Sequence, residues 1–359
     1  MHYKDRVHNF SAGPASIPLE VLMQAKEELL NWQHSGSSVM ELSHRSDPFM
    51  ELHKSLFVNI RLLLDVPSDF TVLLLPGGAR AQFAAVPLNI LGDKALASYC
   101  VTGFWSNASA NEALKYCKVD ICHNERDTIL PKPLWKLDPK AAYLHYCDNE
   151  SISGLEFNEI PNFEAMPLVS DMTSSIFTKQ LDFNKLDLVY AAAQKNFGIA
   201  GVTLVLVRNS LLNNVKHICP SVYDYNICAS KDSMYNTPAT FSWYITDLYL
   251  KWMKKQGGVL AMQKKARDRS ERIYQLLDSD KFYNNSLSNE FRSRINIVFN
   301  LPSKDLDDLF VREAAKEGLS NLKGHKAQGG IRLSLYNATE EKSVLSMLDF
   351  MQEFKRKHG

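Results

Sequence analysis

Between residues 71 and 207 one pattern repeats: a short apolar run, a turn, then a stretch with helical spacing. Apolar runs at 71–75, 95–100, 141–146, 167–170, 186–192 and 201–207 are strand-length, with helical stretches at 82–91 and 106–116. Such alternation predicts an α/β fold with a mainly parallel sheet flanked by helices. The run 201–207 is apolar almost throughout, as expected for a strand buried on both faces, the usual state of strands in a parallel sheet.

Two helices precede this region, over 16–32 and 48–64. In the first, Val21, Leu22, Ala25, Leu29 and Trp32 fall on one face, and Pro18 sits near the start, where a missing N–H costs little. After residue 207 the chain changes character. An aromatic-rich helix over 240–255 is followed by a long charged helix over 257–277. Then come a strand (294–301), a helix (306–319), a strand (331–335) and a last helix (339–357). This series predicts a smaller C-terminal α/β domain. The expected division is 16–257 for the large domain and 258–359 for the small one, joined by the N-terminal segment 1–15, with the boundary at Gly257-Gly258.

A chain of 359 residues is consistent with two domains at about 150 residues each. Its 41 Lys+Arg against 40 Asp+Glu leave a net charge of +1, without the basic excess of a dedicated nucleic-acid binder. No apolar run approaches the roughly 18 residues of a membrane span. Residues 1–10 are polar and lack the apolar core of a secretory signal. Residues 354–359 are basic, with no cysteine for prenylation. The expected location is therefore the cytoplasm, with neither nucleic acid nor membrane as partner. Cys100, Cys117, Cys122, Cys147, Cys219 and Cys228 are scattered and form no CxxC pair. Cys117, Cys122 and His123 lie close together, but zinc ligands usually come as two tight pairs. The reading is reduced thiols and no metal.

Three clusters could carry chemistry. In the first, residues 73–82 (LLLPGGARAQ), a strand runs through a glycine-rich turn into a helix. Backbone N–H groups at such a helix start attract an anion. The second is Gln194-Lys195-Asn196 at the end of a buried strand, where desolvation makes a lysine amine a usable nucleophile. The third is Asp171, at the carboxyl end of a strand, the ligand edge of an open α/β sheet. Taken singly, each has a plain alternative: a bare turn, a lysine with its head in solvent, a capping carboxylate. Taken together they supply a phosphate cradle, a lysine for a Schiff base and an acid for a pyridinium nitrogen, as a pyridoxal-phosphate site requires.

At this point the sequence resembles a known family, the phosphoserine aminotransferases, which are fold-type I pyridoxal-phosphate enzymes. The matching stretches run nearly end to end: residues 9–15 (NFSAGPA), 39–45 (VMELSHR), 82–94 (QFAAVPLNILGDK), 145–150 (HYCDNE), 193–196 (AQKN), 235–238 (YNTP), 322–325 (LKGH), 329–332 (GGIR) and 336–338 (YNA). The resemblance implies that Lys195 is the Schiff-base lysine and Asp171 the carboxylate on the pyridinium. Trp105 matches the aromatic that stacks on the ring. Ala79, Arg80 and Gln194 match positions that hold the phosphate, and Ser151 stands where the family commonly has Thr, near the phenolic oxygen. Asn236 and Thr237 match a loop that reaches the phosphate of the neighbouring subunit, so a homodimer with shared active sites is implied. Arg332 matches the residue that grips the substrate α-carboxylate. His44, Arg45 and His325 match residues around the substrate phosphate, and Lys326 follows where some members carry Arg. Ala12 stands where some have Ser.

The activity implied is transfer of an amino group between glutamate and 3-phosphohydroxypyruvate. The products are 2-oxoglutarate and O-phosphoserine, in serine biosynthesis. The phosphorylated four-carbon analogue of pyridoxine biosynthesis is a further implied substrate. The alternatives are an alanine–glyoxylate-type transaminase, a cysteine desulfurase, or a non-catalytic metabolite-binding protein. A desulfurase needs a nucleophilic loop cysteine, and Cys219 and Cys228 have no activating neighbour in sequence. Retention of Lys195 and Asp171 argues against a non-catalytic protein.

Overall fold

The computed structural model describes residues 6–125, 128–129, 135–163, 166–279 and 281–359. In chain order it runs β1 (His8–Asn9), α1 (Leu19–Glu28), α2 (Asp47–Leu64), β2 (Phe70–Pro76), α3 (Arg80–Ile90), β3 (Leu96–Val101), α4 (Phe104–Ala113) and β4 (Lys118–Asn124). Next come β5 (Leu144–Cys147), β6 (Asn149–Glu150), β7 (Leu155–Glu156), β8 (Leu168–Asp171), β9 (Leu188–Ala192), β10 (Val202–Arg208), α5 (Tyr225–Ser230) and α6 (Thr240–Lys255). The remainder is α7 (Gly258–Asp278), β11 (Asn296–Phe299), α8 (Lys304–Lys316), β12 (Leu319–Ser320), β13 (Ile331–Ser334) and α9 (Glu341–His358).

The seven-stranded sheet has the order β2-β10-β9-β8-β5-β3-β4. Five of its strands, β9, β8, β5, β3 and β4, run parallel along the sheet. The α/β architecture with a mainly parallel sheet is thus as expected. β10 is buried on both faces, yet it is antiparallel to both β2 and β9. Its apolarity follows from the layers that cover the sheet, not from strand direction. Alternate residues divide between these layers. Val72, Leu74, Leu204 and Leu206 join a core with α1, α2 and α6, whereas Leu73, Leu75, Val205 and Val207 join one with α3, α4 and α5.

Local details also depart from the sequence reading. The first helix covers Leu19–Glu28, not 16–32, because Pro18 holds extended backbone (φ −53°, ψ 135°) before it. Trp32 is still buried, in a separate 3-10 turn. β4 was not foreseen: it is an edge strand, partly exposed, and carries Lys118 and Asp120 where an inner strand would be apolar.

In the C-terminal region β11 pairs antiparallel with β13, and α8, α9 and the second half of α7 close over one apolar cluster that includes Phe310, Met347 and Phe354. Phe10 is buried in the same cluster, and β1 pairs with β12. α7 serves two cores: Val259 and Met262 face the first, Ile273 and Leu277 the last.

A buried ionic group ties these parts together. The Lys179 Nζ lies 2.8 Å from Asp148 Oδ2 and 3.9 Å from Glu156 Oε1, and Arg294 pairs with Glu156. Burial alone would push the Glu156 carboxyl up, but Arg294 and Lys179 bring it below its ordinary value. Breaking a buried pair strands a charge. Lys179→Met is therefore expected to lower the unfolding free energy by about 3–5 kcal/mol, read as a shift of the urea midpoint without a change of slope.

Among the described residues, no group of His, Cys, Asp and Glu could hold a metal ion, and no helix is long and apolar enough to cross a membrane. All six cysteines are free.

Candidate active site

The carboxyl ends of β2, β3, β5, β8 and β9 meet at one edge of the sheet, and a cavity of about 540 Å³ opens there. Each of these strands delivers something to it. β2 leads through Gly77 and Gly78 into α3, whose first residues are Arg80 and Ala81. Gly77 has φ +94°, a conformation that favours glycine, and no atom lies within 4 Å of where a Cβ would stand on Gly77 or Gly78. At the start of α3 the Ala81 and Gln82 N–H groups turn back to the Gly78 and Ala79 carbonyls at 3.0 and 2.9 Å, and the positive end of the helix lies at this turn. Arg80 lies beside this turn, its guanidinium 5.3 Å from the centre of the Trp105 ring.

β8 ends in Asp171, which is buried and lines the cavity. Its Oδ1 accepts the Thr173 N–H at 2.9 Å. Burial pushes its carboxyl up, outweighing the Thr173 hydrogen bonds and the charge of Lys195, which act the other way. A cation brought into the cavity beside Asp171 would reverse that direction.

β9 ends at Ala192, and the turn that follows carries Gln194 and Lys195. The Ala15 N–H donates to the Gln194 carbonyl at 2.9 Å, drawing residues 12–15 over the turn. Gly13 is close enough that a Cβ there would lie 3.4 Å from Lys195 Cε. The Lys195 Nζ lies 5.9 Å from the Trp105 ring centre. The Gln194 Oε1 is buried without a hydrogen-bond partner.

β3 leads to Trp105 at the start of α4, where its indole Nε1 donates to Ser151 Oγ at 3.0 Å. Across the cavity stand Arg332 of β13 and His325. The Arg332 Nη1 donates to the Ser151 carbonyl at 3.1 Å, and burial pulls its pKa down. His325 packs 5.5 Å from the Phe104 ring, in a loop closed by Gly324 N–H to the Gly330 carbonyl at 2.8 Å.

Of the residues singled out in the sequence, Ala79, Arg80, Trp105, Ser151, Asp171, Gln194, Lys195, His325 and Arg332 line this one cavity, and so does Ala12. His44, Arg45, Asn236, Thr237 and Lys326 do not. Arg45, Asn236, Thr237 and Lys326 are exposed. Sequence reasoning assigned no role to Thr173 or Glu150. A hydroxyl residue two positions after a strand-end aspartate is the signal for Thr173. No local signal marks Glu150, whose partners at Trp105 and Ser106 lie 45 and 44 residues away.

The model of the class-V aminotransferase family matches residues 7–347. The chain belongs to the class-V aminotransferases. Its similarity to solved members of that family extends over the whole length. The crystal structure of a PLP-bound phosphoserine aminotransferase from Trichomonas vaginalis is 37% identical, over 97% of this chain and 100% of that one, with a TM-score of 0.93. A phosphoserine aminotransferase from Bacillus circulans subsp. alkalophilus is also 37% identical, over 99% and 100%, with a TM-score of 0.96. An alanine–glyoxylate aminotransferase from Nostoc sp. shares the fold at 15% identity and a TM-score of 0.77, over 97% of this chain and 95% of that one. As a class-V aminotransferase, this chain is a transaminase.

Proposed function

We propose that this aminotransferase is a phosphoserine aminotransferase, acting as a two-fold homodimer in the cytoplasm. It would transfer an amino group between glutamate and 3-phosphohydroxypyruvate, giving 2-oxoglutarate and O-phosphoserine for serine biosynthesis. One observation carries the reading. A single cavity joins Lys195, Asp171 and Trp105 to two groups suited to an anionic substrate, Arg332 and His325.

The cavity fits pyridoxal 5'-phosphate. At one end are the positive end of α3, Arg80, and the open space at Gly77 and Gly78. The Gln194 carboxamide, whose Oε1 is buried without a partner, would serve a phosphate there with its NH₂ turned inward, since only that side of the amide donates. At the other end Asp171 is a buried carboxylate facing the cavity without an ion-pair partner among the described residues. Trp105 offers a ring face, and Ser151 a hydroxyl. When bound, the cofactor supplies an electron sink that weakens the Cα–H bond of an amino acid.

The protein's own groups do the rest. Lys195 would hold the cofactor covalently, and its Nζ, once displaced by the incoming amino group and so a free amine, would take the proton from Cα. Asp171 keeps a proton on the ring nitrogen through its negative charge. Arg332 presents a planar fork to the substrate α-carboxylate, and its bond to the Ser151 carbonyl fixes that fork. His325 faces the distal end of the substrate. Arg45 and Lys326 add positive charge around the phosphate, and His44 a ring N–H donor. His44 and Arg45 would act from the partner subunit, since neither they nor their sequence neighbours line their own cavity, whereas Lys326 adjoins His325, which does. The same two anion-binding ends suit the phosphorylated four-carbon analogue of pyridoxine biosynthesis.

A desulfurase reading finds no support. Burial pushes the Cys219 and Cys228 thiols up to about 11 and the Cys147 thiol well above its ordinary value, whereas a nucleophilic cysteine needs the opposite.

Selectivity tests the reading. A charge-assisted hydrogen bond is worth roughly 1.5–3 kcal/mol, so Arg45→Ala is expected to lower kcat/KM for phosphoserine at least about tenfold while sparing the glutamate half-reaction. Equal losses in both half-reactions would place Arg45 on a carboxylate or in the scaffold.

A further inference from the structure

Glu150 lies wholly inside the protein, on the short strand β6. It makes no ion pair among the described residues. Its carboxylate is spent on the start of α4. Oε2 accepts the Trp105 N–H at 2.9 Å, and Oε1 accepts the Ser106 N–H at 2.8 Å and the Ser106 hydroxyl at 2.6 Å. Three donors thus converge on two oxygens at a helix start, where negative charge is favoured. The next residue, Ser151, receives the Trp105 indole N–H and gives its carbonyl to Arg332. Two consecutive residues therefore hold Trp105 at both its backbone and its ring.

Gly103 makes the close approach feasible. A Cβ there would lie 2.5 Å from Glu150 Cδ and 2.8 Å from Oε2, so any side chain at 103 would push the carboxylate off the helix start. Neither nearest analogue of glutamate substitutes for it. An amide at 150 has one acceptor oxygen, and its NH₂ would face an N–H donor of Trp105 or Ser106. An aspartate is one methylene too short to reach both.

We infer that Glu150 is a positioning residue for the transamination site: it fixes the plane and depth of Trp105 through α4, and Gly103 is the vacancy that its carboxylate needs. The Glu150-Ser151 pair consequently sets the spacing between the Trp105 ring and Arg332. This inference rests on the reading of Trp105 as the platform for the cofactor ring.

The experiment uses full-length protein, first without cofactor. Five tryptophans give five indole N–H resonances in a ¹H–¹⁵N spectrum, and Trp105→Phe identifies one of them. Glu150→Gln and Gly103→Ala should each move the Trp105 indole signal and leave the other four in place. Added pyridoxal 5'-phosphate should bind each variant at least about tenfold more weakly than wild type, the loss expected for a charge-assisted contact. Because the two changes break one contact, the double variant should lose no more than the weaker-binding single variant. Ser106→Ala, which removes one donor, should shift the same signal less and serves if either larger change impairs folding.

A Trp105 resonance that stays put in all of these variants would overturn the inference, as would losses in affinity that simply add. Failure of wild-type protein to bind pyridoxal 5'-phosphate would instead overturn the proposed function. The indole shifts in the free protein would still decide whether Glu150 positions Trp105.

Discussion

Lys195→Ala is expected to lower transamination by on the order of 10⁴-fold or more, because one substitution removes both the covalent anchor and the group that carries the Cα proton. Cofactor binding should survive. The start of α3, Arg80, Asp171 and Trp105 remain, carried by α3, β8 and α4 and not by the turn that holds Lys195. Two measurements separate chemistry from folding. Borohydride reduction of wild-type holoenzyme should fix the cofactor irreversibly to the peptide that contains Lys195, and the variant should release it on denaturation. The competing candidate is Lys179, which is also buried, but its amine is already committed to Asp148 and the Phe157 carbonyl, both at 2.9 Å. Lys195 instead reaches into the cavity beside an aromatic face. Label recovered on any lysine other than Lys195 would defeat the assignment.

The gathering of the central residues could be read from sequence because each sits at the end of a strand. Asp171 ends β8, Lys195 and the Gly77-Gly78 turn follow β9 and β2, and parallel strands send their carboxyl ends to one edge. Periodicity found those strands because each is apolar, and this includes β2, an edge strand whose alternate residues are buried in the two cores on either side of the sheet. It passed over β4, an edge strand with partly exposed polar residues, and α5, which is too short to show a helical period. It gave no direction for β10, since burial on both faces looks the same in either direction. The contacts that hold Trp105 had no sequence signal at all. Glu150 meets it across 45 residues, through a gap that exists only because residue 103 lacks a Cβ. For His44, Arg45, Asn236 and Thr237, strand logic offered nothing, and only the family resemblance pointed to them. They lie outside the cavity of their own chain, where no argument from one sheet's edge could bring them.

That separation leads to the last test. Asn236 and Thr237 stand exposed just before α6, and the neighbouring Tyr235 is 46% exposed. If these residues complete the phosphate site, they complete it in another subunit. In a two-fold dimer each chain would lend its loop to its partner. Lys195→Ala and the double variant Asn236→Ala/Thr237→Ala should then each be nearly inactive alone. Mixed in equal amounts, unfolded and refolded, half of the dimers should contain one chain of each kind. In such a dimer one site carries both defects and the other carries neither. Random pairing should therefore restore roughly a quarter of wild-type activity. A loop acting within its own chain leaves a defect in every site, so nothing would return. Absence of rescue after heterodimers have been verified, or a clean monomer by ultracentrifugation, would reject the shared site. Asn236 and Thr237 would then be an ordinary turn before α6, held open by Pro238. Rescue near a quarter would also explain why a cavity with its lysine, carboxylate and ring platform in one chain keeps two of its expected phosphate contacts on the outer surface of that chain.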